Sequence, residues 1–324
     1  MTAEIYDAAG NRWALPALLR WEFSYGFCKA CDCFETAFLY DAAMLPALRA
    51  ACRFRAEHEG KTVFFGVVDE LELRADGKGA SAVLRGRGLQ ALLLDSEAES
   101  ADYYGVDASF LLEKHIRPLG VTEVDLGDCG ARRASFSVSS GESHWSVVQR
   151  FAEFCCGTRP RFTPEGRLLL DGAKSGETLT VDGSGAVTAQ TFAQERYGVI
   201  SSVIVKNRSL GTRVRVENED FAAMGGASER VVNVPRRTGF DAMRHTASYQ
   251  IAQSGADFVR CRLTLPQLFA AFPGDTVELN DSPLGVRGTF FVAAARCAAD
   301  ASACATELDL RQDYLPTLKN GEGE

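Results

Sequence analysis

The sequence predicts a mainly β protein with an α+β middle: two small antiparallel β-barrel domains flanking a mixed helix/hairpin domain. Three observations carry this expectation. Alternating apolar and polar runs, the signature of half-buried strands, dominate both ends of the 324-residue chain. Gly-, Asp- and Pro-containing turns punctuate those runs. Helical spacing next to a short hairpin is concentrated between them, in residues 99–185. A chain of this length exceeds what one hydrophobic core usually serves. The expected division is 1–98 for the first barrel, 99–185 for the middle, 186–316 for the second barrel with a helical insertion, and 317–324 as a flexible polar tail.

In chain order, FETAFLYD (34–41) and ACRFRAEHEG (51–60) read as strands, separated by a short apolar piece around Met44 to Leu48. Residues 61–95 then give two strands about Asp76-Gly77, a hairpin signal because glycine tolerates positive φ. DASFLLEKHIRPLG (107–120) predicts a helix capped by Asp107 and ended by Pro118 and Gly120. In SHWSVVQRFAEFCCG (143–157) Ser143 is the expected N-cap. Trp145, Val148, Ala152 and Cys155 recur at helical spacing, and Gly157 stops the helix. RPRF and RLLL flank Thr163-Pro164-Glu165-Gly166, which fits a type I turn. Residues 197–207 and 212–218 alternate as strands, 240–255 predict an intervening helix, and Pro273-Gly274-Asp275 turns into Thr276–Leu279. Residues 63–87 resemble 289–312: both open on Phe-Phe and end on alternating leucines and arginines, as a duplication would leave them.

Composition excludes several classes. Hydrophobic residues make up 46% and charged residues 24%, with a net charge of −8. A mildly acidic surface argues against a dominant polyanion-binding role. No run of about 18 apolar residues exists, so no membrane span is expected. The N-terminus lacks a basic region followed by an apolar one, so no signal peptide is expected and synthesis in the cytoplasm is. The ten cysteines are expected to stay reduced.

Those cysteines supply the candidate metal ligands. Cys28, Cys31 and Cys33 form a C-x-x-C-x-C run, with Cys52 and His58 downstream. A zinc site usually takes two well-spaced pairs, and Cys52 with His58 is not such a pair. The preferred reading is a turn beside a strand, with no metal and no cofactor. The four histidines, His58, His115, His144 and His245, are scattered, and His144 reads as a surface residue at a helix start. Neither a GxSxG elbow nor a GxGxxG after a strand is present. Gly60-Lys61-Thr62 resembles the end of a phosphate-binding loop, but Arg55 stands where its first glycine belongs. RGRGLQ (85–90) reads as a bulge or barrel corner. The carboxylates Asp69, Glu70 and Glu72, and Glu217, Glu219 and Asp220, sit at strand ends or turns, where solvated charge is the default. No catalytic residue is assigned, and the chain is not expected to be an enzyme.

The order of GKTVFFGVVDELEL, LRGRGLQALLLDSEAE, SHWSVVQRFAEFCCGTRPRFTPEGRLLL, LFAAFPGDTVELND, GTFFVAAARC and ATELDLR, spread between residues 60 and 311, resembles the baseplate hub proteins of long-tailed bacteriophages and related injection machines. These include the Mu-type hub and the late-control group of contractile tails. The resemblance implies a homotrimer with two tube-type barrels per chain, closing a pseudo-hexameric ring that docks the tail tube protein on one face and the spike protein on the other. Other baseplate proteins would be partners too, with no membrane and no nucleic acid bound. The protein would reside in the virion or a phage-like tail particle, prophage-encoded or otherwise, after assembly in the bacterial host cytoplasm. Trimer contacts are expected around Phe64, Phe65, Phe290 and Phe291, with one ring of each pair facing the core. The cysteine-rich turn at 28–33 departs from the family pattern. Two rivals remain: a cell-wall-degrading hydrolase, and a single-stranded nucleic-acid-binding β-barrel using Trp13, Arg20, Trp21 and Phe23.

Overall fold

A computed structural model of the chain describes residues 1–26, 31–77, 79–127, 129, 133–155, 159–172, 176–182, 187–236, 238–312 and 316–320. Its elements run β1 (Thr2–Tyr6), β2 (Arg12–Ala14), β3 (Leu18–Gly26), β4 (Cys33–Leu39), α1 (Leu45–Ala50), β5 (Arg53–His58), β6 (Lys61–Asp76), β7 (Gly79–Gly88) and α2 (Gln90–Leu94). Then come β8 (Ala101–Val106), α3 (Ala108–Leu111), β9 (Val124–Asp125), β10 (Arg133–Val138), α4 (His144–Cys155), β11 (Arg161–Phe162), β12 (Leu168–Leu169), β13 (Thr178–Val181) and β14 (Ala189–Gln194). Last are β15 (Ser202–Asn207), β16 (Thr212–Asn218), α5 (Glu219–Ala223), β17 (Glu229–Asn233), α6 (Phe240–Ser254), β18 (Val259–Leu265), β19 (Thr276–Leu279), β20 (Gly288–Ala299), β21 (Cys304–Arg311) and β22 (Leu318–Asn320). The protein is mainly β, built on large antiparallel sheets with few helices. Two units emerge: Met1–Leu179 with Thr264–Thr276 and Val292–Leu308, and Thr180–Leu263 with Val277–Phe291 and Asp309–Glu324.

In the first unit the antiparallel order is β3-β4-β7-β6-β5-β1-β2, and residues 294–299 of β20 pair with the other edge of β3. Alternation places Trp21, Phe23 and Tyr25 of β3, Phe34 and Phe38 of β4, Phe54 of β5 and Phe64 of β6 in the interior. Burying each such ring contributes about 2–3 kcal/mol. The sheet is strongly curled. Strands β4 and β5 are separated by β7 and β6, which in a flat sheet means roughly 14 Å. Yet the rings of Phe34 and Phe54 stack with centroids 4.0 Å apart.

Two glycines permit that curl. A Cβ at Gly86 would lie 1.9 Å from the Val67 carbonyl oxygen, and one at Gly66 would lie 2.1 Å from that of Arg87. Rings of Phe34 and Phe64 cover these bare backbones, and the β6/β7 register shifts between Val68 and Glu70. RGRGLQ is thus a bend in the sheet. The curl stops short of closure: among the described residues the path ends at β2, three exposed residues that pair only with β1. The first unit therefore holds a curled open sheet rather than a closed barrel.

The segment from 264 to 276 completes this core. Phe269, at φ 48°, stacks on Trp21 with centroids 5.4 Å apart and planes 7° apart, and also borders Phe23.

A second core in the same unit gathers Leu89 and Leu93, Leu111, Ile116, Trp145, Val148, Phe151, Phe162 and Leu168. The Asp107 carboxylate accepts from the Phe110 N–H at 2.9 Å, and Gly120 takes φ +88° at the other end. Between them the expected helix becomes α3, a π turn over 112–116 and a 3₁₀ turn over 117–119. Ser143 Oγ caps α4 by accepting from the Ser146 N–H at 3.2 Å. The expected stop at Gly157 lies outside the described residues. The turn between β11 and β12 closes with Gly166 N–H donating to Thr163 O at 2.9 Å.

The second unit has a four-stranded sheet in the order β17-β15-β16-β22, with β17 parallel to β15. Met243, Ala247 and Ile251 of α6 pack on Val203, Val205, Val214 and Val216. Fully buried Asn207 fixes the connections: its amide donates to the carbonyls of Pro235, Arg236 and Thr238, and its oxygen accepts from the Leu210 N–H.

Candidate assembly interface

Strand pleating separates the expected interface phenylalanines. Phe64 is 2% exposed and Phe290 3%, so both belong to the interior. Phe64 lies 5.2 Å from Phe34 and 5.4 Å from Phe23. Phe65 and Phe291 take the opposite face and are half-buried. Phe65 borders an open depression of about 590 Å³ that Arg53, Arg55, Thr62 and Glu165 also line.

The solvent face of the curled sheet carries a network of charges that takes in Asp69, Glu70 and Glu72 and gives them partners on neighbouring strands. Glu22 and Glu35 stand directly opposite each other on β3 and β4, a repulsive pairing if left alone. Arg296 of β20 bonds both oxygens of Glu22, at 2.8 and 2.7 Å, and Glu307 at 2.9 Å. Arg20 and Arg85 hold Glu35 at 2.7 and 2.6 Å. Arg85 continues to Glu70 and Glu72, and Arg87 joins Asp69 and Asp95. Bonding to Arg85, with Arg20 beside it, holds the Glu35 carboxyl below its ordinary range, and Arg74 and Arg85 do the same for Glu72. A general acid needs the opposite displacement. These carboxylates anchor neighbouring strands. Charged residues at i and i+2, as in ELELR (70–74), were the available signal.

The second carboxylate set is also engaged. Glu217 pairs with Arg215 at 2.8 Å, Glu219 lies in the first turn of α5, and Asp220 accepts from the Thr317 N–H at 2.7 Å.

Among the described residues, Cys31, Cys33 and Cys52 do not gather into one ligand set. Cys28 lies outside the described residues. Cys31 is half-buried, its thiol donating to Gly88 O and Gln90 Oε1, and burial pushes it up to about 12. Cys33 is exposed on β4, and half-buried Cys52 lines the Phe65 depression. Among the described residues no three His, Cys, Asp or Glu side chains gather in a way that would hold a metal ion.

Of the residues in the nucleic-acid alternative, Trp21 and Phe23 face the core, Arg20 pairs with Glu35, and Trp13 remains at the surface. Among the described residues no helix is long and apolar enough to cross a membrane. His144 is not the surface residue its helix-start position suggested: it is half-buried, and its Nδ1 lies 3.1 Å from Nδ1 of buried His115. Their separation of 29 residues left no local signal.

No family model and no curated protein matches this sequence. Solved structures do. The chain is similar to a tail protein from Neisseria meningitidis MC58, with a TM-score of 0.77 and 18% identity, covering 96% of each chain. It is similar to the 43 kDa tail protein of prophage MuSo2 from Shewanella oneidensis, with a TM-score of 0.74 and 14% identity over 96% of this chain and 98% of that one. An Escherichia coli component of the type VI secretion system, itself structurally similar to T4 tail proteins, matches with a TM-score of 0.57 and 12% identity over 92% of this chain and 74% of that one. The chain thus has the fold of phage tail proteins and of their secretion-system counterparts, consistent with the baseplate hub family that the order of its sequence segments resembles.

Proposed function

We propose that this protein is the structural hub of a phage tail or phage-like particle baseplate. In this reading three copies close a pseudo-hexameric ring joining the tail tube to the central spike. The observation that carries it is the whole-chain likeness to phage tail proteins, 96% of the chain at a TM-score of 0.77. The sequence division into 1–98, 99–185, 186–316 and 317–324 belongs to the proposal, with 1–98 and 186–316 acting as barrel-like modules. The curl of the first sheet supports that for the first module. Ring closure by three copies requires heterologous contacts, each copy meeting its neighbours through two different surfaces. Phe65 and Phe291, the outward members of their pairs, are the aromatic contacts assigned to those surfaces. Tail tube, spike and neighbouring baseplate proteins are the partners, the tail particle is the location, and no catalysis is assigned.

Light scattering behind a sizing column tests the reading. A trimer gives about 105 kDa, three times the 35.1 kDa of one chain. A chain that stays monomeric with tube and spike proteins added overturns it.

A further inference from the structure

His115 and His144 reach each other from different elements. His115 lies in the π turn over 112–116 and is 1% exposed; His144 is the first residue of α4. With their Nδ1 atoms 3.1 Å apart, one nitrogen donates its proton and the other accepts through a bare lone pair. The remaining ring nitrogen of His115, Nε2, is buried without a partner. Tyr103 of β8 presents its ring edge-on at 6.1 Å, and Phe110 of α3 lies 6.4 Å away.

The charges around the pair do not favour an extra proton. Lys114 adds positive charge on the same turn, and Glu113 there is paired with Arg117. Glu142 faces His115, but Arg150 holds that carboxylate at 2.9 Å and the Ser139 N–H donates to it. Backbone carbonyls of Glu97 and His115 face the His144 ring, and the His144 N–H donates to Ser96 O at 3.0 Å. The start of α4 adds the positive end of its dipole.

We propose that the His115–His144 contact is an acid-operated latch, closed when both imidazoles are neutral and opened when protonation separates them. One added proton can be shared across the contact. A second sets two cations about 3 Å apart in a desolvated site beside Lys114, which the fold relieves only by parting the rings. Parting them frees the start of α4 from residues 96–97 and loosens the π turn. The aromatic core around Phe54 and Phe64 contains neither histidine and stays closed. Burial first, then the charge of His144, lowers His115 to about 4, and burial lowers His144, so opening falls between pH 6.5 and 4. The latch does not depend on the hub reading.

Amide hydrogen exchange of the full chain at pH 7.5 and 4.5, corrected for intrinsic rates, tests it. The expected result is at least a tenfold greater loss of protection at pH 4.5 in peptides covering 108–116 and 143–152 than in β3 and β4. His115→Phe removes that difference, and so does His144→Gln, which decides the matter if the first variant does not fold. Equal protection at both pH values overturns the proposal. So does a loss spread evenly over the first unit, or an acid response that survives His144→Gln.

Discussion

Gly86→Ala tests whether the curl of the first sheet depends on bare backbone. The added Cβ would sit 1.9 Å from Val67 O and 2.6 Å from the Phe34 ring, where ordinary contact begins at 3.4 Å. Relief requires roughly 1.5 Å of movement between β6 and β7 or displacement of Phe34 from its 4.0 Å stack on Phe54. Overpacking of a close-packed site costs about 1–3 kcal/mol, and losing the stack adds about 1 kcal/mol. A total near 3 kcal/mol lowers Tm by about 6–12 °C for a unit of about 200 residues. Thermal and urea melts of the two proteins measure this. Gly77→Ala is the control, because nothing lies within 4 Å of its added Cβ; it should stay within about 0.5 kcal/mol of the parent. Equal melting of Gly86→Ala and the parent, or an equal loss in the control, would refute the reasoning.

Other outcomes follow from sites already described. Asn207→Ala removes the side-chain bonds to the Pro235, Arg236 and Thr238 carbonyls and to the Leu210 N–H, of which Pro235 O and the Leu210 N–H keep backbone partners, so urea unfolding should show a loss of about 1–2 kcal/mol in the second unit. The His115 proton gives a signed pH effect. Its folded value of about 4 lies below the ordinary 6.5, so between those values the unfolded chain binds the proton and the folded one does not. Stability is then fully present above pH 6.5 and falls toward pH 4, by about 3 kcal/mol. Urea midpoints at pH 7.5 and 4.5 should diverge in the parent and much less in His115→Phe. Arg85→Ala removes the cation between Glu35, Glu70 and Glu72, so its melting temperature should fall modestly, and salt near 1 M should shrink the difference by screening what repulsion remains.

What the sequence made legible was local. Asp76-Gly77 marked the β6–β7 hairpin because the turn chemistry is contained in four residues, and Asp107 and Ser143 marked helix starts because a cap bonds within three residues. Both Phe-Phe pairs alternate as pleating requires, with the first ring inside each time. The interior at Phe34 and Phe54 was harder to foresee. Alternation shows which face of a strand is buried, but not how sharply a sheet turns, and here that depends on Gly66 and Gly86 meeting backbone across a strand pair. The same limit hid His144 against His115 and Glu22 opposite Glu35. Each contact is set by tertiary register rather than by any spacing along the chain.

The late arrival of residues 264–308 shapes how the protein is made. Strand β3 gains its neighbour from residues 294–299, and Trp21 gains its stacking partner only with Phe269. While a ribosome is still translating the second unit, the first has one uncovered strand edge and a missing lid over its aromatic core. Such an edge is a template for wrong pairing. Nearly the whole polypeptide must therefore emerge before its opening segment can close. Slower elongation lengthens that interval, and a chain cut before residue 294 lacks the strand that covers this edge of β3.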